Sequence, residues 1–389
     1  MFRILTLNQI SIKGLDQFPR DSYEVASEIG HPDAMLLRSH KLALEALTDS
    51  VKAIARAGAG VNNIPVDHCT EKGIVVFNTP GANANAVKEL VLSGLLLSSR
   101  GIIEGIHFSR NLNKNMAYDE MNKLVEKEKK NFGGNEIAGK TLGVIGLGAI
   151  GSMVAEMGLK LGMKVYGYDP ALSVEAAWRL SNEVQQAENI PSLLSRSDYV
   201  TLHLPVMEST IKLINTNNIK TLKKGGCLLN FSRAEIVETG AVLQAIADKR
   251  LNHYVTDFPV PEFIEIPQII MMPHIGASTE EAEDNCAVMA ASQLKDFLEH
   301  GNIRNSVNFP ALNMERSSGY RLALTNKNIP KMLSKILAIL ADKNINVIDM
   351  INKSRNDIAY NLIDIETKPS EELISILKEI EGVINVRSL

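Results

Sequence analysis

Short apolar runs alternate with longer stretches of helical periodicity along most of this chain. Arg3–Leu7, Ala34–Arg38, Ala53–Arg56 and Val75–Asn78 are compact, largely apolar runs, the pattern of strands in a buried parallel sheet. Gly58-Ala59-Gly60 and Pro80-Gly81 punctuate them as turns. Glu89–Arg100 reads as a mostly apolar helix, long enough to join two lobes. Thr279, followed by Glu280, Glu281 and Glu283, marks the start of a second long helix that runs to His300 and stops at Gly301. Between these helices lie an apolar run Leu142–Ile145, a helical stretch, and a second run Val165–Tyr168. The order predicts a discontinuous first domain, 1–88 with 286–310, interrupted by a second domain at 89–285. Both read as α/β, doubly wound, Rossmann-like parallel sheets. Residues 311–319, which include Arg316-Ser-Ser-Gly319, read as a linker. Residues 320–389 then follow the order βαββαβ, which predicts a separate ferredoxin-like sheet with two helices on one face. Lys114–Lys130, rich in Lys and Glu, reads as a solvated helix and loop.

The bulk numbers narrow the classes open to such a chain. A length of 389 residues allows two or three domains, each with its own core. A net charge of −4 supplies no basic field for nucleic acid. Cys69, Cys227 and Cys286 are too scattered for a disulfide framework or a metal-binding pair, so no metal site is expected. The opening Met1-Phe-Arg-Ile-Leu-Thr-Leu is too short an apolar run for a secretory signal, and no stretch is long enough to cross a bilayer. These features predict a soluble, cytoplasmic protein.

The chemistry begins at Gly139-Lys-Thr-Leu-Gly-Val-Ile-Gly146-Leu-Gly148-Ala149-Ile150-Gly151. Gly146 allows a tight turn, Gly148 lets backbone approach a pyrophosphate, and Gly151 lets the next helix pack closely on its strand. The helix start supplies free N–H groups for an anion. Asp169, at the end of the second strand, falls where a carboxylate would bind a ribose 2′-hydroxyl, which favours NAD over NADP. Downstream, two loops follow predicted strands: Ser232-Arg233 after Cys227–Phe231, and Pro273-His274-Ile-Gly276 after Ile269–Met272. Oxidation of a 2-hydroxy acid needs a base for the hydroxyl proton and a cation for the carboxylate. His274 suits the first task and Arg233, with its planar fork, the second.

With Asn230-Phe-Ser-Arg233, Thr256-Asp257-Phe-Pro259 and Pro273-His-Ile-Gly-Ala-Ser-Thr279, the glycine block resembles the signatures of NAD-dependent D-2-hydroxyacid dehydrogenases. Leu37-Arg38-Ser39, Ala57-Gly-Ala-Gly60 and Asn78–Glu89 match in the front half, and the C-terminal unit resembles an ACT domain. The resemblance implies that Arg233 binds the substrate carboxylate and His274 is the acid/base. Gly58, Ala59, Gly60 and Asn83 would shape the substrate cleft, with Leu204, Pro205, Thr210, Ser232 and Gly276 along the cofactor and Asp257 near the nicotinamide amide. An ACT unit on such an enzyme implies amino-acid control of a biosynthetic step. The substrate would be 3-phosphoglycerate, its phosphate held by Arg38 with Ser39 and Asn83, and the lysines Lys127–Lys130 a weaker alternative. L-Serine would be the effector, at Asn326, Asn328 and Asn346. A homo-oligomer is implied, a dimer through the dinucleotide domains or a tetramer joined further through the C-terminal sheets.

Two positions depart from the family pattern. The family pairs its His with a Glu shortly after the Asp-Phe block, where this chain has Pro261, so Glu262, one residue late, is the expected partner and Glu265 the next. In the ACT loop Lys331 replaces a Gly, in a place where glycine would permit φ > 0. An enzyme acting on an unphosphorylated hydroxy acid, and a non-catalytic NAD(H)-sensing regulator, stay open as alternatives.

Overall fold

The computed structural model describes residues 1–389, apart from the side chains of Glu175 and Arg179. The chain divides into two units, Met1–Asn83 with Thr279–Leu389, and Ala84–Ser278.

The first unit is built on β1 (Phe2–Leu7), β2 (Tyr23–Ala26), β3 (Ala34–Leu37), β4 (Ala53–Arg56) and β5 (Val75–Phe77). These form a parallel sheet of order β2-β1-β3-β4-β5. Alternation in β3 feeds two cores. Ala34 and Leu36 face Ala287, Ala290, Ala291 and Leu294 of the helix Glu280–His300, while Met35 and Leu37 pack with Ile54, Val76 and Cys69. That helix starts where Thr279 accepts the Ala282 N–H and ends at Gly301, whose φ of +74° closes it. The edge strand β2, Tyr-Glu-Val-Ala, has no counterpart among the strands predicted, because three of its four residues are exposed or partly exposed and it carries no long apolar run.

β13 (Tyr320–Lys327), β14 (Val347–Arg355), β15 (Ile358–Ile365) and β16 (Val383–Ser388) form an antiparallel sheet of order β14-β15-β13-β16. The helices Met332–Asp342 and Glu371–Glu379 cover one face, where Ile336, Leu340, Leu373 and Leu377 meet Leu322, Leu324, Ile363 and Ile365. The other face is not open. Ala323, Ile358, Tyr360 and Leu362 join one core with Phe77, Phe297 and Phe309. The 311–319 segment, expected as a linker, buries Leu312 and Met314 in that core, so residues 320–389 belong to the first unit instead of standing apart. The reason lies in β15, buried along its whole length: two helices cover only one of its faces, and the other needs an apolar partner.

The second unit holds β6 (Thr141–Ile145), β7 (Lys164–Tyr168), β8 (Gln185–Gln186), β9 (Tyr199–Leu202), β10 (Gly226–Asn230), β11 (Leu251–Thr256) and β12 (Ile269–Met271). They form a seven-stranded sheet of order β12-β11-β10-β9-β6-β7-β8, every pair parallel. The order reverses between β6 and β9, the place where doubly wound sheets bind ligands. The flanking helix runs Ala84–Ser99, starting earlier than expected, and Gly94 lets it approach Phe231, Leu229 and Val255. Lys114–Lys130 contains an exposed helix, Tyr118–Glu128, and the start of a short turn, Lys129–Phe132. Among the described residues no helix is long and apolar enough to cross a membrane.

Candidate active site

After β6 the chain turns at Gly146, whose φ is +87° and where a Cβ would lie 2.3 Å from the His203 carbonyl oxygen. A Cβ on Gly151 would lie 1.8 Å from the Gly146 carbonyl oxygen, so only glycine lets the helix Ala149–Lys160 start there. Gly148 faces open space, and among the described residues no side-chain hydrogen bond caps that helix start. Asp169 accepts the Leu147 N–H at 2.8 Å and the Ala171 N–H at 2.9 Å, which sets its carboxylate beside the glycine turn. Room at Gly148, an uncapped helix start through Ala149 and Ile150, and a carboxylate at the end of β7 fit a dinucleotide with a free 2′-hydroxyl.

The ends of β9 and β10 are tied by Ser232, whose hydroxyl donates to the Leu202 carbonyl at 2.6 Å and accepts the Leu204 N–H at 2.9 Å. Thr210 folds the Leu204-Pro205 turn, donating to the Pro205 carbonyl at 2.7 Å and accepting the Met207 N–H at 2.8 Å. His203, which sequence reasoning passed over, bonds Thr201 through Nε2 at 2.9 Å, and its buried Nδ1 has no hydrogen-bond partner among the described residues. Burial pushes its pKa down to about 3, so the ring is neutral. The available signal was its position, a histidine at a strand end beside the reversal of strand order.

Arg233 follows β10. Fully buried Asn230 shapes its turn, donating to the Arg233 carbonyl at 2.8 Å and accepting the Ser232 N–H at 3.1 Å. His274 follows β12, exposed and in the left-handed region at φ +56°. Buried Asp257 accepts the next two N–H groups, of Ile275 at 2.8 Å and Gly276 at 2.7 Å. A carboxylate expected beside the nicotinamide amide thus spends both oxygens on holding the His274 loop. The His274 ring packs edge-on against Phe258 with centroids 5.1 Å apart. No hydrogen bond or ion pair among the described residues links it to Glu262 or Glu265. Pro261–Phe263 is a tight turn anchored by buried Phe263 against Tyr254, which leaves Glu262 exposed, and Glu265 is exposed at φ +68°. The structure therefore does not bring the expected Glu262 to His274.

In the first unit, Arg38 and Ser39 follow β3 and the Gly58–Gly60 loop follows β4. Arg56, absent from the residues singled out by sequence, joins the two loops: its Nε donates to the Arg38 carbonyl at 2.9 Å and its Nη1 to the Gly60 carbonyl at 2.6 Å. Asn78 donates to the Ala59 carbonyl at 2.6 Å. Ser39 is exposed, and the Asn83 side-chain oxygen is buried with no hydrogen-bond partner among the described residues. Arg38 pairs with Glu283, Nη1 to Oε1 at 2.6 Å.

Among the described residues no hydrogen bond joins the expected effector asparagines to one another. Asn326 is buried, donating to the Lys327 carbonyl at 2.7 Å and accepting from Asn361 at 2.7 Å. Asn328 donates to the Asn356 carbonyl at 2.9 Å, and Asn346 to Glu366 at 2.8 Å. Lys331 adopts φ +71° despite its side chain. No group of three or more His, Cys, Asp or Glu among the described residues could hold a metal ion.

Residues 104–276 match the family of D-isomer specific 2-hydroxyacid dehydrogenases, NAD binding domain. The chain is 32% identical to a D-3-phosphoglycerate dehydrogenase of Haemophilus influenzae, over 99% of this chain and 93% of that one. It is 30% identical to one of Dictyostelium discoideum, over 100% and 97%. Among solved structures it resembles NAD+-bound 3-phosphoglycerate dehydrogenase of Entamoeba histolytica, with a TM-score of 0.62 and 27% identity over 80% of this chain and 99% of that one. The chain belongs to the D-2-hydroxyacid dehydrogenase family and is an NAD-dependent dehydrogenase.

Proposed function

We propose that this protein oxidises D-3-phosphoglycerate to 3-phosphohydroxypyruvate, the opening step of serine biosynthesis. The observation that carries the reading is near end-to-end similarity to D-3-phosphoglycerate dehydrogenases, C-terminal sheet included. In this reading Arg233 grips the substrate carboxylate with its planar fork, and His274 takes the C2 hydroxyl proton as the C2–H bond breaks. Bound NAD supplies the hydride acceptor. Asp257 acts through the loop it holds, keeping His274 at its left-handed φ. Arg38 receives the phosphate, so Arg38→Ala should raise KM for 3-phosphoglycerate about ten- to a hundredfold, the scale of one charge-assisted contact. The C-terminal sheet serves as an ACT layer of a homo-oligomer, and L-serine could enter only by opening the contacts of Asn326, Asn328 and Asn346.

Two observations favour other readings. The Glu283 partner on Arg38 favours an unphosphorylated substrate, and the lack, among the described residues, of a carboxylate bonded to His274 favours a slow dehydrogenase. NAD reduction by the purified protein with 3-phosphoglycerate, D-glycerate and His274→Ala separates the three. Turnover of D-glycerate alone, or turnover untouched by His274→Ala, would overturn the proposal.

A further inference from the structure

The contact between Arg38 and Glu283 has an unusual setting. Arg38 leaves the end of β3, and Glu283 stands in the first turn of the helix Glu280–His300. Their side chains are 36% and 45% exposed, so water and solutes can reach the pair. A carboxylate in the first turn of a helix is favoured there by the helix dipole. The neighbouring acid Asp284 is engaged elsewhere, accepting from Ser11 and, at 2.6 Å, from Lys13. One turn further on, burial raises the pKa of the Cys286 thiol, while Thr79, Arg38 and Arg56 act to lower it and Glu283 adds to the rise.

We propose that Glu283 is a specificity-determining residue, the resident counter-ion of Arg38 that a substrate phosphate must displace. The proposal rests on the reading that Arg38 receives that phosphate. A phosphate dianion arriving at the guanidinium removes Glu283 from its partner and then lies close to its negative charge. A hydroxy acid without phosphate leaves the pair intact. Glu283 therefore weakens binding of phosphorylated substrates relative to unphosphorylated ones, and its neutralisation strengthens it.

Calorimetric titration of the full-length protein with 3-phosphoglycerate and with D-glycerate tests this without requiring turnover. Glu283→Gln should raise the ratio of Kd for D-glycerate to Kd for 3-phosphoglycerate about three- to tenfold, the scale of one surface charge acting over a few ångströms. In an Arg38→Ala background the same change should move the ratio less than about twofold, because the cation for which Glu283 and the phosphate compete is then gone. An unchanged ratio, equal tightening of both ligands, or an undiminished gain without Arg38 overturns the proposal. Arg38→Ala binding 3-phosphoglycerate as well as wild type overturns it too, by taking the phosphate away from Arg38. Failure of the wild type to reduce NAD with 3-phosphoglycerate instead removes the proposed substrate, while the binding ratio still judges Glu283.

Discussion

The two ends of the helix Glu280–His300 each meet an Arg–carboxylate pair, and the pairs could hardly be more different. At the N-terminal end Arg38 reaches Glu283 through one contact, both side chains partly in water. At the C-terminal end Arg321 and Asp364 are 0% and 1% exposed. Arg321 donates twice to Asp364, at 2.6 and 2.9 Å, and also to the carbonyls of His300, Met314 and Glu315 at 3.0, 2.9 and 2.8 Å. The Ser317 hydroxyl adds a further bond to Asp364 at 2.7 Å. The same chemical pair is an exchangeable contact at one end and a joint at the other. Solvent decides which. In water a solvated ion can replace either partner of such a pair at little cost, whereas in the interior any exchange would strand a charge. The buried joint fastens the C-terminal sheet to the helix end, so this sheet is not a module on a tether.

The sharpest way to break this comparison is Arg321→Ala, which leaves Asp364 buried without its partner. It should cost about 3–5 kcal/mol in urea unfolding; a loss below about 1 kcal/mol would place the pair in the same class as Arg38–Glu283. Acid should attack the same joint. Burial alone would raise the Asp364 carboxyl, but the bonds from Arg321 and Ser317 outweigh it and hold the group below 3.8. A depressed folded value means that the stabilisation is complete above the unfolded value and fades as pH falls through 3.8 and below. The difference in urea midpoint between wild type and Asp364→Asn should therefore shrink below that pH, and a difference that grows on acidification would refute the assignment. Replacing both partners, Arg321→Met with Asp364→Leu, should cost roughly 1–3 kcal/mol, less than the single change, because no charge is left buried and only neutral groups, three carbonyls and the Ser317 donors, lose their partners. The smallest effect is expected at the other end. Arg38→Ala should change unfolding stability by less than about 1 kcal/mol, and a loss comparable to Arg321→Ala would make that pair structural as well.

The glycine turn after β6 was legible because its geometry is local. Gly146, Gly148 and Gly151 lie within one turn, and Asp169, just past the neighbouring strand, accepts the Leu147 N–H. The helix from Thr279 to Gly301 was legible for the same reason, its cap, apolar face and stop all lying within its own span. The partner of His274 was not. Distance along the chain put Glu262 within reach, but the burial of Phe263 turned it outward. Arg56 was missed because its work is done on carbonyls of Arg38 and Gly60, and a backbone acceptor leaves no mark on residue type.

By itself the sequence determined what depends on neighbours in the chain: the parallel strands, the glycine turn, the helix caps, and the residue types Arg233 and His274 in loops after strands. Only the tertiary structure decided which charges meet and how dry they are. Arg321 finds Asp364 across paired strands 43 residues apart, and β15 buries the face that its two helices leave uncovered. The physical reason is that periodicity and turn chemistry are short-ranged, whereas the energy of a charge or an apolar face depends on what the rest of the fold lays against it.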